Sequence, residues 1–314
     1  MVLAAFTGCR RNQTDGYEAF DVYDHPTTQF VYCSDRSGRF QIWKHVDGDL
    51  TQLTFETAKN CWWPNVSTLG DKILYYQTDG EPLDGLVDSE LWVMNIDGTS
   101  NQRLLRASTS DISLHGMASW SPDGDKIIFS GLNTDTKTWQ LYEIDVASEE
   151  VWPLALRESA NYYDPVYAPD GESVFCSVTP ESADLGAENL ELFEIDLLSN
   201  QEIRLTFNHS ADHHPCVSPD GNSIIYESLL DSNYLSIGKW SIMHLDLSTA
   251  TVTELIHDEY INLFPKFSWN GEFVIFNRLD IQTFEMNISQ FSMLDAKIET
   301  IDSDTFTSVN PVPF

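Results

Sequence analysis

Three observations predict an all-β fold, a six-bladed β-propeller of four-stranded blades whose ring is closed by the C-terminal strand. A motif recurs every 38–54 residues along the chain, each copy carries the same turn chemistry, and no stretch sustains a helical period. Four short strands per copy and six copies fall within the range of propeller architectures.

The first element of each copy is a short apolar strand, a Pro-Asp-Gly-type turn and a returning strand. It reads "ASWSPDGDKIIFS" (118–130), "PVYAPDGESVFCS" (165–177), "PCVSPDGNSIIYES" (215–228) and "PKFSWNGEFVIFN" (265–277). Pro fixes φ and Gly supplies the positive φ that lets the chain reverse. "PNVSTLGDKILYY" (64–76) is a worn copy and "PTTQFVYCS" (26–34) a shortened one. A second element alternates apolar residues up to an Asp-containing turn, as in "ELWVMNIDG" (90–98), "ELFEIDLLS" (191–199) and "SIMHLDLST" (241–249). A third, "TQLTF" (51–55) or "EIRLTF" (202–207), closes the unit. "NPVPF" (310–314) is a seventh start without a blade of its own. It is expected to complete the blade begun at Phe30, joining the two ends of the chain and leaving no open sheet edge.

The composition restricts partners. The 314 residues hold 49 acids and 17 bases, a formal net charge of −32, with 42% hydrophobic and 12% aromatic residues. These are globular values, and a chain so acidic repels phosphate backbones and anionic lipid, so nucleic acid is not an expected partner. No apolar run reaches the ~20 residues of a transmembrane helix. The start, "MVLAAFTGCRRNQ", contains a box, Phe6 to Cys9, similar to a bacterial lipoprotein cleavage site with Cys9 as the lipidated residue. No basic segment precedes it, so a working leader would begin upstream. Residues 1–20 are therefore expected to be a leader remnant or a disordered N-terminus, and 21–314 the propeller. Cys33, Cys61, Cys176 and Cys216 allow three pairings that spacing does not separate, and no CxxC occurs.

The "P-x-[WFY]-S-P-D-G-x-x-I-x-F-x-S" repeat, with "SDRSG" (34–38) before "QIW" and a closing "LTF", resembles the WD40-like (PD40) repeats of TolB-type propellers over residues 26–314. That resemblance implies a monomer in the bacterial periplasm or an outer-membrane lipoprotein. It also implies an envelope protein, a peptide or a glycan as partner. Such repeats serve propellers of different function, so the site has to carry the functional argument.

In a propeller the first strand of each blade lines the channel, and the residues before its Pro sit at the mouth. Those pairs are Asp24-His25, Trp62-Trp63, Gly116-Met117, Tyr163-Asp164, His213-His214 and Leu263-Phe264. The expected ligand-binding residues are His25, Trp62, Trp63, Tyr163, Asp164, His213, His214 and Phe264, because convergent loops on a rigid scaffold are where polar groups meet a ligand.

Three readings of Asp212-His213-His214 stay open. The histidines could hold backbone groups, could bind a divalent metal (Mn, Zn or Ca), or could contact a sugar or peptide beside the aromatics. Alternation along an extended strand points Asp212 and His214 one way and His213 the other, so a metal would draw on His25, Asp164, Asp212 and His214. His115 and His209 are weaker candidates, His45 and His244 are expected to be structural, and the acidic loop 78–90 fits no EF-hand.

No G-x-S-x-G, GxGxxG, Walker loop or HExxH occurs. The expected function is a non-enzymatic envelope propeller that binds at its channel mouth. The alternative is a metal-dependent polysaccharide lyase, since oligogalacturonate lyases use TolB-like repeats. There the metal neutralises the uronate carboxylate and a histidine, here His213 or His214, removes the α-proton. The sequence offers no basic cluster to hold such a glycan.

Overall fold

The computed structural model describes residues 29–79, 89–106, 108–109, 111–179, 189–208, 210–232, 238–302 and 307–314. Cys9, His25, His209, the 1–20 segment and most of the acidic loop lie outside them.

Six four-stranded antiparallel sheets form the blades of a propeller. The first holds β1 (Gln29–Ser34), β2 (Gln41–Val46) and β3 (Asp49–Gln52). The second holds β4 (Asn60–Val66), β5 (Lys72–Thr78), β6 (Ser89–Asn95) and β7 (Gln102–Leu105). The third runs through β8 (Ile112–Trp120), β9 (Lys126–Asn133), β10 (Trp139–Asp145) and β11 (Val151–Pro153). The fourth has β12 (Tyr162–Tyr167), β13 (Ser173–Val178), β14 (Glu191–Asp196) and β15 (Glu202–Arg204). The fifth has β16 (Asp212–Val217), β17 (Ser223–Asp231), β18 (Lys239–Asp246) and β19 (Thr251–Glu254). The sixth has β20 (Ile261–Phe267), β21 (Phe273–Leu279), β22 (Met286–Ser292) and β23 (Ile298–Asp302). The last strand, β24 (Ser308–Pro313), pairs with β1 and supplies the inner strand of the first blade, as the seventh repeat start predicts.

In five blades the second strand follows the turn, and in the first blade β1 holds the same place beside β24. This strand is packed between neighbouring blades and buried on both faces, not alternating. All six residues of β13 and five of the six in β1 are buried. This is why the sequence shows continuous runs such as "SVFCSV" there. The outer strands are mostly exposed, as in β3 and β19. Cys33, Cys61 and Cys176 are buried free thiols and Cys216 a half-buried one, so no disulfide helps to close the ring among the described residues.

On the face away from the ring of predicted site residues, the Pro-Asp-Gly turns touch one another around the channel. Gly171, Gly221 and Gly271 have φ of 74°, 73° and 72°. A Cβ on them would lie 3.7, 3.7 and 3.4 Å from the turn proline of the preceding blade, Pro122, Pro169 and Pro219. The inner strand of the first blade comes from the far end of the chain, so no such turn joins it to β1. The gap is bridged by Trp269, which stands where the sixth turn would have its proline and reaches Gly70 of the second blade, 3.7 Å from a Cβ placed there. The "SWNG" departure from "SPDG" is thus a seam filler.

Trp269→Ala and Trp269→Pro are each expected to cost on the order of 1 kcal/mol, since the indole is about half buried. Urea denaturation beside Leu198→Ala, whose residue is 95% exposed and should be silent, checks this. Ending the chain at Asp302 removes β24 and is expected to abolish the cooperative transition, read by circular dichroism and gel filtration.

Candidate functional site at the channel mouth

Each inner strand breaks its pairing register at the ring position, which in five blades is an X-Pro step. The shifts fall between Trp62 and Asn65, Tyr163 and Val166, His213 and Cys216, and Leu263 and Lys266. At each break the residue before proline has positive φ: Trp63 47°, Asp164 52°, His214 51°, Phe264 55° and, in β24, Asn310 55°. This conformation is costly for any residue with a Cβ, on the order of 1–3 kcal/mol each, and five repeats of it mark a site where the scaffold imposes strain. The third blade has Ala118 in place of proline and its ring residue, Met117, has no positive φ.

The bulges overturn the alternation expected for Asp212, His213 and His214. A left-handed residue resets the parity of the strand, so His213 and His214 both reach Asp164, and Asp212 points away from them. The Asp212 carboxylate is 0% exposed and accepts from Ser228 Oγ at 2.6 Å and Asn208 Nδ2 at 2.9 Å. Burial, against those hydrogen bonds, holds its carboxyl above the ordinary range. Asp212 is thus spent on its own blade and does not join His214.

The ring residues, one from each blade, all line a single cavity at the channel mouth: Trp63, Met117, Asp164, His214, Phe264 and Asn310. The cavity is small and partly open to solvent, with Lys266 further along its wall. The first-blade place in this ring belongs to Asn310, because β24 is that blade's inner strand; Asp24 and His25 lie outside the described residues. Residues one position earlier lie behind the ring. Trp62 is 3% exposed and packs on Trp63 at 4.2 Å between ring centroids. Tyr163 leans on Trp139 at 5.7 Å, and burial, helped by the Asp164 charge, pushes its hydroxyl up to about 12.

The polar heart of the site spans the seam between the fourth and fifth blades. His213 Nδ1 lies 3.0 Å from Asp164 Oδ2, and the His214 backbone N–H donates to that oxygen at 3.3 Å. His214 Nε2 is 3.8 Å from Asp164 Oδ1. On its other side His214 Nδ1 lies 2.7 Å from Glu227 Oε1. Glu227, on β17 and 4% exposed, also accepts the backbone N–H of Phe264 through Oε2 at 2.8 Å. Burial pushes the Asp164 carboxyl up, but the two histidines outweigh it and hold the group well below the usual carboxylate range. Burial likewise lowers His214, and Asp164 and Glu227 more than compensate, leaving its imidazole above its ordinary value. The seam therefore holds a compact charged network in the half-buried wall of the cavity.

Sequence reasoning missed Glu227 and Asn310. Glu227 occupies the place in the second strand taken by Ser130, Ser177 and Asn277 in other copies, and an acid inside that buried run was the available signal. Glu227 and Asn277 share a task there. Asn277 Oδ1 accepts the Asn310 N–H at 2.8 Å, just as Glu227 accepts that of Phe264, so the bulged N–H is capped from the preceding blade. His257, by contrast, sits 90% exposed beside Glu254.

No protein-family model matches the chain. An uncharacterised protein of Agrobacterium fabrum is 29% identical over 128 residues, which are 39% of this chain and 43% of that protein's length. TolB from Acinetobacter baumannii superposes with a TM-score of 0.69 at 17% identity, covering 91% of this chain and 66% of that one. A structure from Agrobacterium tumefaciens assigned as TolB gives 0.66 at 18%, covering 92% and 94%. An oligogalacturonate lyase in complex with manganese gives 0.60 at 13%, covering 89% and 75%. The fold is a TolB-type six-bladed β-propeller.

Glu227→Gln keeps one acceptor and loses the other, so either His214 or Phe264 N–H is left unpaired. The expected cost is about 1–3 kcal/mol in chemical denaturation, with the far-ultraviolet spectrum unchanged.

Proposed function

We propose that this chain is a non-enzymatic binding propeller of the bacterial cell envelope that takes an extended segment of a partner protein into its channel mouth. The observation that carries the reading is the convergence of six ring residues, one from each blade, on one open cavity. Aromatic faces at Trp63 and Phe264 stand among polar groups. Asn310, 7% exposed, has a side-chain oxygen without a hydrogen-bond partner among the described residues.

The surrounding face favours a protein over a lone sugar. Antiparallel topology brings the connections from outer to inner strands, and from second to third strands, to the mouth side. Those connections expose Phe55, Phe207 and Phe284 at 71%, 68% and 70%. Envelope location is supported by the TolB resemblance and by the Phe6–Cys9 box, with Cys9 as the proposed lipid anchor. No helix of the described residues is long and apolar enough to cross a membrane.

A photo-crosslinking amino acid at position 117 is expected to yield protein-sized adducts in cells, and Trp63→Ala/Phe264→Ala to remove them. The same group at position 198, on the opposite face, should give none. Adducts of equal yield from both positions, or none from 117, would sink the reading. Labelling with a radioactive fatty acid should mark the chain and fail in Cys9→Ser, and an unlabelled chain removes the anchor.

A second, enzymatic reading draws on Asp164, His213 and His214: a metal-dependent lyase of uronate glycans, the chemistry named for the manganese-bound structural neighbour. Among the residues lining the cavity Lys266 is the one Lys or Arg, and a chain of −32 repels a polyanion. Incubation with polygalacturonate and Mn²⁺ is expected to show no rise in the ultraviolet absorbance of an unsaturated product. Such a rise would replace the binding reading.

A further inference from the structure

We propose that Asp164, His213 and His214 form a site for one divalent transition ion of the zinc class, with Glu227 orienting His214 and one coordination position left open to the cavity. The inference is independent of whether a protein segment occupies the channel.

The three side chains each offer a ligand atom, and these atoms all lie within 4.8 Å of one another. Zinc bonds to imidazole nitrogen and carboxylate oxygen are about 2.0–2.2 Å long, which for tetrahedral angles separates neighbouring ligand atoms by about 3.4 Å. The observed His213 Nδ1 to Asp164 Oδ2 and His214 Nε2 to Asp164 Oδ1 separations, 3.0 and 3.8 Å, bracket that value. One carboxylate oxygen and two ring nitrogens within 4.8 Å of one another are brought to that spacing by side-chain torsions alone.

The surroundings are those of a metal ligand set. His214 turns Nδ1 to Glu227 Oε1 at 2.7 Å, which makes Nδ1–H the donor and leaves the Nε2 lone pair facing Asp164. A carboxylate behind a histidine in this way sets the tautomer and the ring direction of a metal-binding imidazole. Glu227 is itself pinned by the Phe264 N–H on its other oxygen. Both histidines and the aspartate are fixed by the strained steps at Asp164 and His214, so the ligand atoms are delivered by rigid strands from two blades. Two imidazoles and one carboxylate suit zinc better than calcium, which prefers six or more oxygens. Three protein ligands beside an open cavity resemble zinc sites that bind a ligand or water, not closed structural ones. Asp212, engaged by Ser228 and Asn208, is not part of the set.

The test is calorimetric titration of metal-stripped full-length protein with Zn²⁺, followed by Co²⁺ substitution read in the visible spectrum. One ion per chain is expected, with the intense bands of four-coordinate cobalt. Asp164→Asn and His213→Ala should abolish binding, and Glu227→Gln should weaken it by about 10–100-fold. His257→Ala, on the exposed Glu254 pair, should leave it unchanged. Absence of zinc binding by folded wild-type protein overturns the proposal. So does stoichiometric binding that survives in a folded Asp164→Asn variant. Should those variants fail to fold, the wild-type cobalt spectrum decides: weak six-coordinate bands refute the site.

Discussion

Everything at the channel mouth depends on β24 lying against β1. That pairing joins residues almost a full chain apart, with Phe30 opposite Pro313 and Cys33 opposite Val309. It sets the order of the blades, because a ring of six inner strands exists only if the first blade borrows its inner strand from the C-terminus. It also places Asn310 level with Trp63, Asp164, His214 and Phe264. The closure involves high sequence separation, so it carries a loop-closure entropy cost that the strand pairing and packing offset. The opposite face adapts to the same event, as Trp269 spans the place where a tight turn is topologically excluded.

A second constraint acts at the X-Pro steps. Proline removes a ladder donor and discourages an α-like residue before it. The inner strands nonetheless place a left-handed residue there, five times over. The strain persists because the neighbouring blade compensates it, through Glu227 for Phe264, Asn277 for Asn310 and Asp164 for His214. Where proline is absent, at Ala118, the positive φ is absent too. Ring geometry and blade packing are thus one problem, and a change in either is felt in the other.

The architecture was legible because each blade repeats its own punctuation. "SPDG" turns, closing "LTF" segments and a leftover "NPVPF" are local signals, and counting them yields six blades and a clasp. The ring was legible as positions before proline, which is how Trp63, Asp164, His214 and Phe264 were found. What failed was anything that depends on backbone parity or on a neighbouring blade. Alternation misdirected His214 relative to Asp212, since the left-handed His214 reverses the count. Asn310 was passed over because the ring was counted from the copy at Pro26, although the clasp at 310–314 already implied the inner strand of the first blade. Glu227 was hidden because its importance lies in two partners, 13 and 37 residues away.

The acidity of the chain and the chemistry of the mouth bear on each other. With a formal charge of −32, the surface field draws cations inward and keeps polyanions out. At the mouth that field meets a hydrogen-bonded network in which Asp164 faces two histidines and His214 two carboxylates. A ligand entering there gains from shape and from the aromatic faces of Trp63 and Phe264. A metal ion gains differently, by taking the place of protons shared within the network. The two kinds of guest use different atoms of one ring: the metal is held at the seam of the fourth and fifth blades, and Asn310 and Trp63 remain available to the partner on the first and second.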